Sequence, residues 1–399
     1  MSTVDSPEQG EQWEPDVPIP VAPMFESPPK PIGVLRFFAW KQFWPGGAMW
    51  VFLAWLCWRY ATPDLASMKS FEPGWLTILW LRNATVVTLL AGTLHWWLYV
   101  RRSQGTSTKF NQRWPSESKR FTFGYQTWDN VFWTIASGVT ISTGFEAIGW
   151  WMFANGHTPY RDFVGNWPYL IGLTVFTFFW SNAHFYANHR LLHVGKLYDW
   201  AHSVHHRNPN PGPWSGISMH PVEHLLYMSP PVLLWFIPGH PVVHLTLLFF
   251  SLLSPILTHT GFERVWLGGV EQNRASFLSG DYFHQLHHRY FECNYGNTLV
   301  PLDKVFGTYH DGTPEAHSAM RERQRTAGRS WRTESTCFTA PTKRWCVKPP
   351  KATQWTTSTC TSQSRRANDN RSHATHTGDA RSDRRPSPHW HASSRNQPE

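Results

Sequence analysis

Long apolar runs alternate with short polar loops over the first half of the chain, and they predict membrane-spanning helices. Four runs approach the roughly 20 apolar residues that cross about 30 Å of hydrocarbon. They cover residues 43–61, 83–100, 130–156 and 164–189. The first is near the lower limit of length, and the third is interrupted only by Glu146. The pattern therefore predicts about four transmembrane helices.

A fifth apolar run, residues 225–262, is broken in its middle by the sequence Pro238-Gly239-His240-Pro241. Proline and glycine interrupt helices, and the two halves of about 14 and 18 residues are too short for two comfortable crossings. We therefore predict a re-entrant or shallow helical hairpin that returns to the side from which it came.

The loop at residues 101–125 fixes the expected orientation. It carries six Lys or Arg residues against a single acid, Glu117, and such an excess is typical of cytoplasmic loops. Counting crossings from this loop places the N-terminus and everything after about residue 184 in the cytoplasm as well. We expect an integral membrane protein of either a bacterial inner membrane or the endoplasmic reticulum.

Both ends of the chain lack a helical or strand period. Residues 1–34 are rich in proline and acidic residues and are predicted to be a disordered extension. Residues 313–399 consist largely of Arg, Ser, Thr and Pro and are predicted to be a basic disordered tail, although a shifted reading frame would also explain their composition. Between the ends, residues 35–164 hold the N-terminal transmembrane helices, and residues 165–312 hold most of the histidines.

Composition changes this picture in two ways. The chain carries a net charge of +9, but residues 313–399 alone hold 16 Lys and Arg against 7 Asp and Glu, so the rest is neutral. A nucleic-acid-binding domain would carry its basic surface on the folded part, so we expect no nucleic-acid partner. The 25 Trp residues suit a membrane interface. The five cysteines follow no metal or disulfide spacing and are predicted to be reduced thiols.

Candidate chemistry lies in the histidines, because 15 of the 22 fall between residues 184 and 310. A helix brings residues three and four positions apart onto one face, and three segments have this spacing. Their histidines are His189 and His193, then His202, His205 and His206, and finally His284, His287 and His288. Eight imidazoles exceed the four ligands of one tetrahedral zinc, so the spacing predicts two metal ions.

The ligand type does not choose the metal, because imidazole binds iron, copper, zinc and nickel. Iron is favoured because zinc has no redox chemistry, whereas a site on a bilayer suits an unactivated C–H substrate. A zinc-dependent membrane hydrolase would need a general-base glutamate, as in HExxH, which the sequence lacks. A membrane metal carrier, with ligands inside crossing helices, and a lipid-binding scaffold that has lost its activity remain the non-enzyme alternatives.

In the order of its motifs the chain resembles the fatty acid hydroxylase/sterol desaturase superfamily, whose members are membrane di-iron oxygenases. The resemblance covers about 165–312, which would be the catalytic domain. Its motifs are NHRLLH (188–193), YDWAH (198–202), MHPVEH (219–224), THTG (258–261), NYG (294–296) and PLDKVFGT (301–308). The expected fold is an all-α integral membrane protein with about four transmembrane helices, the re-entrant hairpin and a cytoplasmic histidine-rich helical cap.

The resemblance implies a set of ten metal ligands and three carboxylates that orient them. The ligands would be the eight histidines of the three spaced segments, completed by His224 and His259. The orienting carboxylates would be Asp199, Glu223 and Asp281, because a ligating imidazole usually donates its other N–H group to such an acceptor.

The activity implied by the resemblance is hydroxylation or desaturation of a bilayer lipid, with two iron ions as cofactor and O2 as co-substrate. The motifs at 220–224 and 294–308 look most like the sterol desaturase branch, with a fatty acid or carotenoid hydroxylase as the alternative. The sequence has no dinucleotide-binding glycine fingerprint and no haem or iron–sulfur cysteine pattern. Electrons are therefore expected from a partner such as a cytochrome b5-like protein or a ferredoxin.

Overall fold

The computed structural model describes residues 15–26, 28, 30–267, 276–278, 280–333, 338–340 and 343–345. They all lie in the first of two units of the chain, Met1–Gln354, and the second unit, Trp355–Glu399, is outside the described residues. The described part is mostly helical, which confirms the predicted fold class at this level. Its helices are α1 (Pro31–Phe37), α2 (Ala48–Tyr60), α3 (Pro73–His95), α4 (Gln126–Trp133), α5 (Thr140–Ala154), α6 (Trp167–Leu192), α7 (Ser203–His206), α8 (Pro221–Tyr227), α9 (Pro241–Thr258), α10 (Tyr282–Tyr290), α11 (Leu302–Val305) and α12 (Pro314–Thr333).

Shorter elements link or extend these helices. Segments with π-helical hydrogen bonding cover Phe38–Gly47, Trp96–Val100, Thr134–Val139 and Tyr198–His202. Short segments of 3-10 helix cover Pro23–Phe25, Leu65–Met68, Pro213–Ser215 and Pro230–Phe236. Two antiparallel strand pairs are formed by β1 (Arg264–Trp266) with β2 (Ser276–Leu278) and by β3 (Phe338–Ala340) with β4 (Lys343–Trp345).

Three helical stretches in the described part of the chain are long and apolar enough to cross a membrane. They are Pro73–Val100, Gln126–Ala154 and Pro241–Thr258. The first two correspond to the second and third predicted spans. At 1.5 Å per residue, even the shortest stretch reaches about 27 Å, which is close to the thickness of the hydrocarbon core.

The first predicted span, 43–61, differs from the structure. Helix α2 has only 13 residues, and the chain kinks before it at Trp44, whose φ of −123° and ψ of 129° are not helical. The following Pro-Gly-Gly sequence at 45–47 opposes a continuous helix. A helix of 13 residues covers about 20 Å, and α2 is accordingly not among the three crossing candidates.

The fourth predicted span, 164–189, corresponds to α6, a helix of 26 residues that is also not among the three candidates. Length is therefore not what separates α6 from the others. Its inner face carries Ser181 and Asn182, which are both buried, and the half-buried His184 lies one turn further on. These polar side chains lower the hydropathy of α6 while facing the interior of the protein.

The predicted hairpin at 225–262 breaks at the expected position but is asymmetric. Its first half consists of the end of α8 and the 3-10 segment Pro230–Phe236. Its second half is the single helix α9, which begins at Pro241 and is one of the crossing candidates. Only the second half has an uninterrupted helical sequence, and the return of this segment to the side from which it came stays a prediction.

Helix α9 is the centre of the apolar core. Most of its side chains are buried, and it contacts α2, α3, α5 and α6. The core also contains the thiol of Cys57, and Cys293 is buried near α10; both are free. The other three cysteines are outside the described residues.

Glu146, the acid inside the third apolar run, is paired with a buried base. Its carboxylate contacts the guanidinium of Arg82 on α3. It also accepts hydrogen bonds of 2.8 Å from the side-chain amide of Asn83 and 2.8 Å from the indole of Trp150. The ion pair therefore joins α3 to α5 in the interior of the helical bundle.

The basic loop at 101–125 packs against the segments that follow the histidines. The backbone of Phe110 donates to the carbonyl of Gly261 at 3.0 Å, and Glu263 donates to Thr108 at 2.9 Å. The fully buried Lys109 donates to the carbonyl of Arg113 at 2.9 Å and to the side-chain oxygen of Asn210 at 3.0 Å. The most basic loop thus lies at the histidine-bearing end of the protein.

The N-terminal extension departs from the predicted disorder where it is described. The backbone of Ile19 donates to the carbonyl of Asp311 at 2.7 Å, and Ala22 donates to Thr298 at 3.2 Å. Ala22 is buried, and Ile19 packs against the apolar cluster around α10. These two apolar residues cover the C-terminal part of the histidine domain, which explains why residues 15–26 are ordered on it; residues 1–14 are outside the described residues.

The tail departs from its prediction as well, because α12 covers residues 314–333. His317 and Met320 are buried against α10, and the side-chain amide of Gln324 donates to the carbonyl of Tyr290 at 3.1 Å. Positions 317, 320 and 324 share one helical face, a period hidden by the many polar residues around it. Apart from β3 and β4, the tail beyond α12 is outside the described residues. The alternative of a shifted reading frame there stays a prediction.

Candidate metal centre

Helix α6 brings the first two predicted ligands to the site. His189 lies in its last turn, and His193 is the residue that caps its C-terminus. The Nδ1 atom of His189 lies 2.6 Å from the carbonyl oxygen of Tyr295. A carbonyl can only accept, so Nδ1 carries the proton and Nε2 presents its lone pair to the site.

The second histidine segment combines a π-helical turn with α7. His202 ends the π-helical turn, and His205 and His206 follow in α7. The wider turn places all three imidazoles in the interior, where they are at most 5% exposed. The Nδ1 atom of His202 lies 2.7 Å from the carboxylate of Glu223, which is itself buried.

The third segment is α10, which carries His284, His287 and His288. The carboxylate of Asp281 caps its first turn by accepting from the backbone of His284 at 3.4 Å. The Nδ1 atom of His287 donates to the carbonyl of Cys293 at 2.7 Å. The helix ends at Phe291, whose φ of 68° is left-handed and turns the chain back toward the site.

The turn after α10 is held by side chains that the sequence analysis connected with the motifs around it. The side-chain amide of Asn294 donates to the carbonyls of Phe283 and His310, at 2.9 and 3.0 Å. The carboxylate of Asp303 accepts from the backbone of Tyr295 at 2.9 Å and of Gly296 at 2.7 Å. These bonds fix the carbonyls of residues 293 and 295 against the two imidazoles that they orient.

The histidines form two compact groups of buried nitrogen atoms. In each group the potential ligand atoms lie within 4.8 Å of one another. The first group is His189, His193, His202, His206 and His287, and the second is His205, His259, His284 and His288. All eight histidines of the spaced segments are thus brought together, and His259 from the C-terminal end of α9 joins them.

The arrangement of ring nitrogens fits a cation in each group. The Nε2 atoms of neighbouring rings in the first group are 3.0 to 3.2 Å apart. Both His189 and His287 carry their proton on Nδ1, so lone pairs converge on the space between them. In the second group the Nδ1 of His259 lies 2.9 Å from the carbonyl of Pro255, and its Nε2 lies 3.1 Å from that of His284. Converging lone pairs repel one another unless a positive ion lies between them.

Electrostatics support the same chemistry. Burial, reinforced by the neighbouring imidazoles, lowers the pKa of His205, His284 and His288 well below the usual range for histidine. These rings are neutral at physiological pH, and only the neutral imidazole is a metal ligand. Nine neutral imidazoles with no cationic partner among them are a donor set suited to transition metals such as iron, copper, nickel and zinc.

Two predicted residues lie away from the histidine groups. The ring of His224 is in neither group, and its Nδ1 is 2.7 Å from the hydroxyl of Ser137 in the π-helical turn Thr134–Val139. Asp199 is exposed, and only its backbone carbonyl bonds locally, to the hydroxyl of Ser203 at 2.9 Å. Of the three predicted carboxylates, Glu223 contacts the Nδ1 of His202, and Asp281 caps the first turn of α10.

The sequence analysis missed three acceptors that orient the rings, the carbonyls of Pro255, Cys293 and Tyr295. No side-chain pattern could have identified them, because every residue has a carbonyl group and only the fold selects which one faces a ring. The motif at 294–296 was the nearest signal, since it marked a turn close to the third segment.

A cleft with about 860 Å³ of empty space, partly open to solvent, leads to the histidines. It lies between α6 and α9, with α8 along its side. Five of the grouped histidines line its inner end: His189, His202, His205, His259 and His284. The apolar part of its wall includes Phe185, Leu192, Met219, Tyr227 and Phe250. This mostly apolar lining with a few polar groups at one end is typical of a site for a largely apolar small molecule.

Comparison with known proteins identifies the histidine domain. Residues 174–308 match the sequence profile of the fatty acid hydroxylase family. The chain is 29% identical over 164 residues to a Delta(7)-sterol 5(6)-desaturase of Gibberella zeae, covering 40% of this chain and 49% of the relative. It is 30% identical over 160 residues to the lathosterol oxidase of Homo sapiens, covering 39% of this chain and 52% of the relative.

A third relative has a different activity in its name. The very-long-chain aldehyde decarbonylase GL1-11 of Oryza sativa subsp. indica is 29% identical over 150 residues, covering 37% of this chain and 55% of the relative. The chain thus spans about half the length of the curated relatives it matches, and no solved structure shows a significant match. The resemblance predicted from the motifs is confirmed by the family profile and by the sterol desaturase relatives. Through residues 174–308, the chain is therefore similar to members of the fatty acid hydroxylase family and to sterol desaturases.

Proposed function

We propose that this protein is a membrane-bound oxidoreductase that hydroxylates or desaturates a lipid, using O2 and electrons from an external donor. The observation that carries the proposal is the pair of buried histidine groups at the inner end of one apolar cleft. The two relatives named as sterol oxidising enzymes favour the sterol desaturase branch. A fatty acid or carotenoid hydroxylase is the alternative within the superfamily. The relative named as a very-long-chain aldehyde decarbonylase supports keeping lipids other than sterols as candidate substrates.

The nine grouped histidines would hold two iron ions, one in each group. When bound, the iron pair supplies the oxidising power that breaks an unactivated C–H bond with O2. Hydroxylation consumes O2, two electrons and two protons and yields the alcohol and water, whereas desaturation with the same reactants yields an alkene and two waters. His224 is not part of this ligand set, because its ring lies outside both groups and against Ser137.

The protein residues hold the rings and position the lipid. The carboxylate of Glu223 and the carbonyls of Cys293 and Tyr295 each fix one imidazole through its Nδ1 atom, so the ligands are oriented before a metal binds. The apolar wall of the cleft keeps water away from the target carbon. It also holds that carbon next to the histidines, and such positioning supplies much of the rate of a reaction between bound partners.

The proposed topology places the histidine domain, about residues 165–312, on the cytoplasmic side. Its support is the contact between the basic loop 101–125 and the segments after His206 and His259, together with the bias of basic loops toward the cytoplasm. A cytochrome b5-like protein or a ferredoxin would then deliver electrons from the cytoplasm. The lipid would enter from the bilayer through the cleft between α6 and α9.

Iron content is the decisive test of this function. Full-length protein purified in detergent should contain about two irons per chain, one for each nitrogen-rich group. The double variant His205→Ala/His288→Ala removes two of the four imidazoles of the second group and should retain about one iron. His157→Ala is the matched control and should keep the wild-type iron content. It removes an exposed histidine that belongs to neither group.

Activity is then measured with reductant, O2 and bilayer lipids, by mass spectrometry of the products. A gain of one oxygen indicates hydroxylation, and a loss of two hydrogens indicates desaturation. Folded wild-type protein that binds no metal would refute the proposal. Equal iron content in the wild type and the double variant would refute the assignment of the second group.

A further inference from the structure

We propose that the cleft contains a subsite for a hydroxyl group of the substrate, formed by Ser251 of α9 and His184 of α6. The inference deepens the proposed function and rests on it, because it assumes that the cleft binds the lipid. It specifies the substrate class as a neutral lipid with a hydroxyl group, rather than an anionic lipid such as a free fatty acid.

Ser251 provides a buried hydroxyl without a partner. Its side chain lines the cleft and is 3% exposed, and its Oγ has no hydrogen-bond partner in the described part of the chain. A serine inside a helix commonly bonds the carbonyl four residues earlier, but this one does not. Its backbone carbonyl is held by the hydroxyl of Tyr227 at 2.9 Å, so the position of Ser251 in the wall is fixed.

His184 provides a second such atom. Its Nε2 lies 2.8 Å from the hydroxyl of Ser229 and 3.0 Å from the side-chain amide of Asn188, which hold the ring in place. Its Nδ1 is buried and has no partner among the described residues. Because the amide nitrogen of Asn188 donates to Nε2, the neutral ring carries its proton on Nδ1, which is left as a donor. A ligand hydroxyl can accept from this atom, and it can exchange a hydrogen bond in either direction with the hydroxyl of Ser251.

Charge argues against an anionic head group. None of the described residues that line the cleft is a lysine or an arginine. The two carboxylic side chains of the lining, Glu223 and Asp281, would not attract a carboxylate or a phosphate. A buried anion requires a positive partner, so the neutral hydroxyl is the polar group that this wall can accept.

The position of the subsite would select the carbon that reacts. Ser251 precedes His259 by eight residues on α9, and His184 precedes His189 by five on α6, which correspond to about 12 Å and about 7.5 Å along the helices. Both helices approach the histidine groups with their C-terminal ends. A rigid lipid anchored by its hydroxyl at this depth would present one fixed region of its skeleton to the histidines.

Binding of two matched probes to the detergent-purified full-length protein tests the subsite. The probes are a 3-hydroxy sterol and its 3-methyl ether, which cannot donate a hydrogen bond and is bulkier at the same position. Ser251→Ala and His184→Leu should each weaken binding of the hydroxy sterol roughly five- to tenfold, the effect of one lost hydrogen bond. Binding of the ether should change little. Thr246→Val removes a hydroxyl from α9 that is bonded to the carbonyl of Val242 and should leave both affinities unchanged.

Three results would overturn the subsite. They are unchanged affinity for the hydroxy sterol in both variants, an equal loss for the two probes, and tighter binding of oleate than of the hydroxy sterol to the wild type. The outcome is separable from that of the proposed function, because binding is measured without turnover. A hydroxyl preference that the variants abolish, in a protein without iron or oxidase activity, would support the subsite and refute the oxidoreductase.

Discussion

The orientation of individual rings is decided by a few acceptors, one of which is the carboxylate of Glu223. It is 2% exposed, and one of its oxygens lies 2.7 Å from the Nδ1 of His202. Burial raises the pKa of this carboxyl group well above its usual range, so a neighbouring imidazole N–H or a nearby cation is needed to stabilise its charge. Glu223 and His202 thus depend on each other.

Replacing Glu223 should therefore weaken metal binding without removing a ligand. Glu223→Ala is expected to lower iron affinity roughly 10- to 100-fold, the usual effect of losing a partner that orients a ligand. Glu223→Gln retains an oxygen acceptor and should lose less. Competition with a chelator gives the affinities. Asp199→Ala, at an exposed carboxylate that the sequence made equally plausible, is the control, and a comparable loss there would contradict this role of Glu223.

For individual residues, the sequence predicted which side chains meet at the site. It did not predict which backbone carbonyls face their rings. The three- and four-residue spacings predicted the grouping of eight histidines, because helical geometry alone brings such residues together. The single histidines were harder to predict: His259, which caps α9, lies in the second group, whereas His224, inside α8, lies in neither group. The difference arises from where α8 and α9 lie in the tertiary structure. The spacing of residues along the sequence does not predict those positions.

Among the elements, the π-helical turns adjust the direction of helices that approach the site. The turn Thr134–Val139 forms a recess for His224, whose Nδ1 lies 2.7 Å from the hydroxyl of Ser137. Gly138 makes the recess possible, since a Cβ atom there would lie 3.2 Å from the Nε2 of His224 and 3.3 Å from the carbonyl of Ile217. The adjacent residue of α8, Glu223, contacts His202. The turn therefore supports the metal centre through α8.

Adding one methyl group in this recess should disturb the centre. Gly138→Ala is expected to destabilise the protein by about 1–3 kcal/mol through overpacking and to lower its iron affinity by moving α8. Gly144→Ala, on the neighbouring exposed surface of α5 with no atom within 4 Å of the added carbon, is the matched control and should be neutral or slightly stabilising. Thermal unfolding and iron titration provide the two readouts. Identical behaviour of the two variants would show that the recess has no such role.

Elements were predicted best where apolar runs were long and unbroken. The stretches Pro73–Val100 and Gln126–Ala154 correspond to predicted spans, whereas α2 is shortened by the kink at Trp44. Helix α12 was missed because the face that it turns toward α10 carries the buried His317 and the exposed Gln324 beside Met320, and hydropathy counts neither of these two polar residues as apolar. Where polar side chains are buried by specific partners, composition alone cannot reveal the element.

In the whole molecule, residues 15–26 and helix α12 both pack on the histidine domain. Residues 15–26 bond the segment 298–311, and α12 packs against α10. The hydroxyl of Tyr290, the last residue of α10, lies 2.7 Å from the Nδ1 of His317. The third histidine segment is therefore supported by a helix that lies outside the region of family resemblance.

Two truncations should show which part of the tail stabilises the folded protein. A chain ending after Thr333 keeps α12 and should match the full-length protein in stability and iron content. A chain ending after Thr313 exposes the surface that Met320 covers and should lose at least about 1.5–3 kcal/mol of stability, the contribution of one buried side chain of this size. Thermal unfolding in detergent measures the difference. Equal stability of the two truncations would show that α12 does not support α10.

The ion pair between Arg82 and Glu146 restricts how this sequence can change over generations. Removing one partner leaves the other buried and uncompensated, at a cost of about 3–5 kcal/mol, whereas replacing both by apolar residues is often neutral. A viable apolar pair thus lies two substitutions away, and each intermediate has lost a large part of a typical folding free energy. The two positions, 64 residues apart in the chain, are therefore expected to be inherited as a unit.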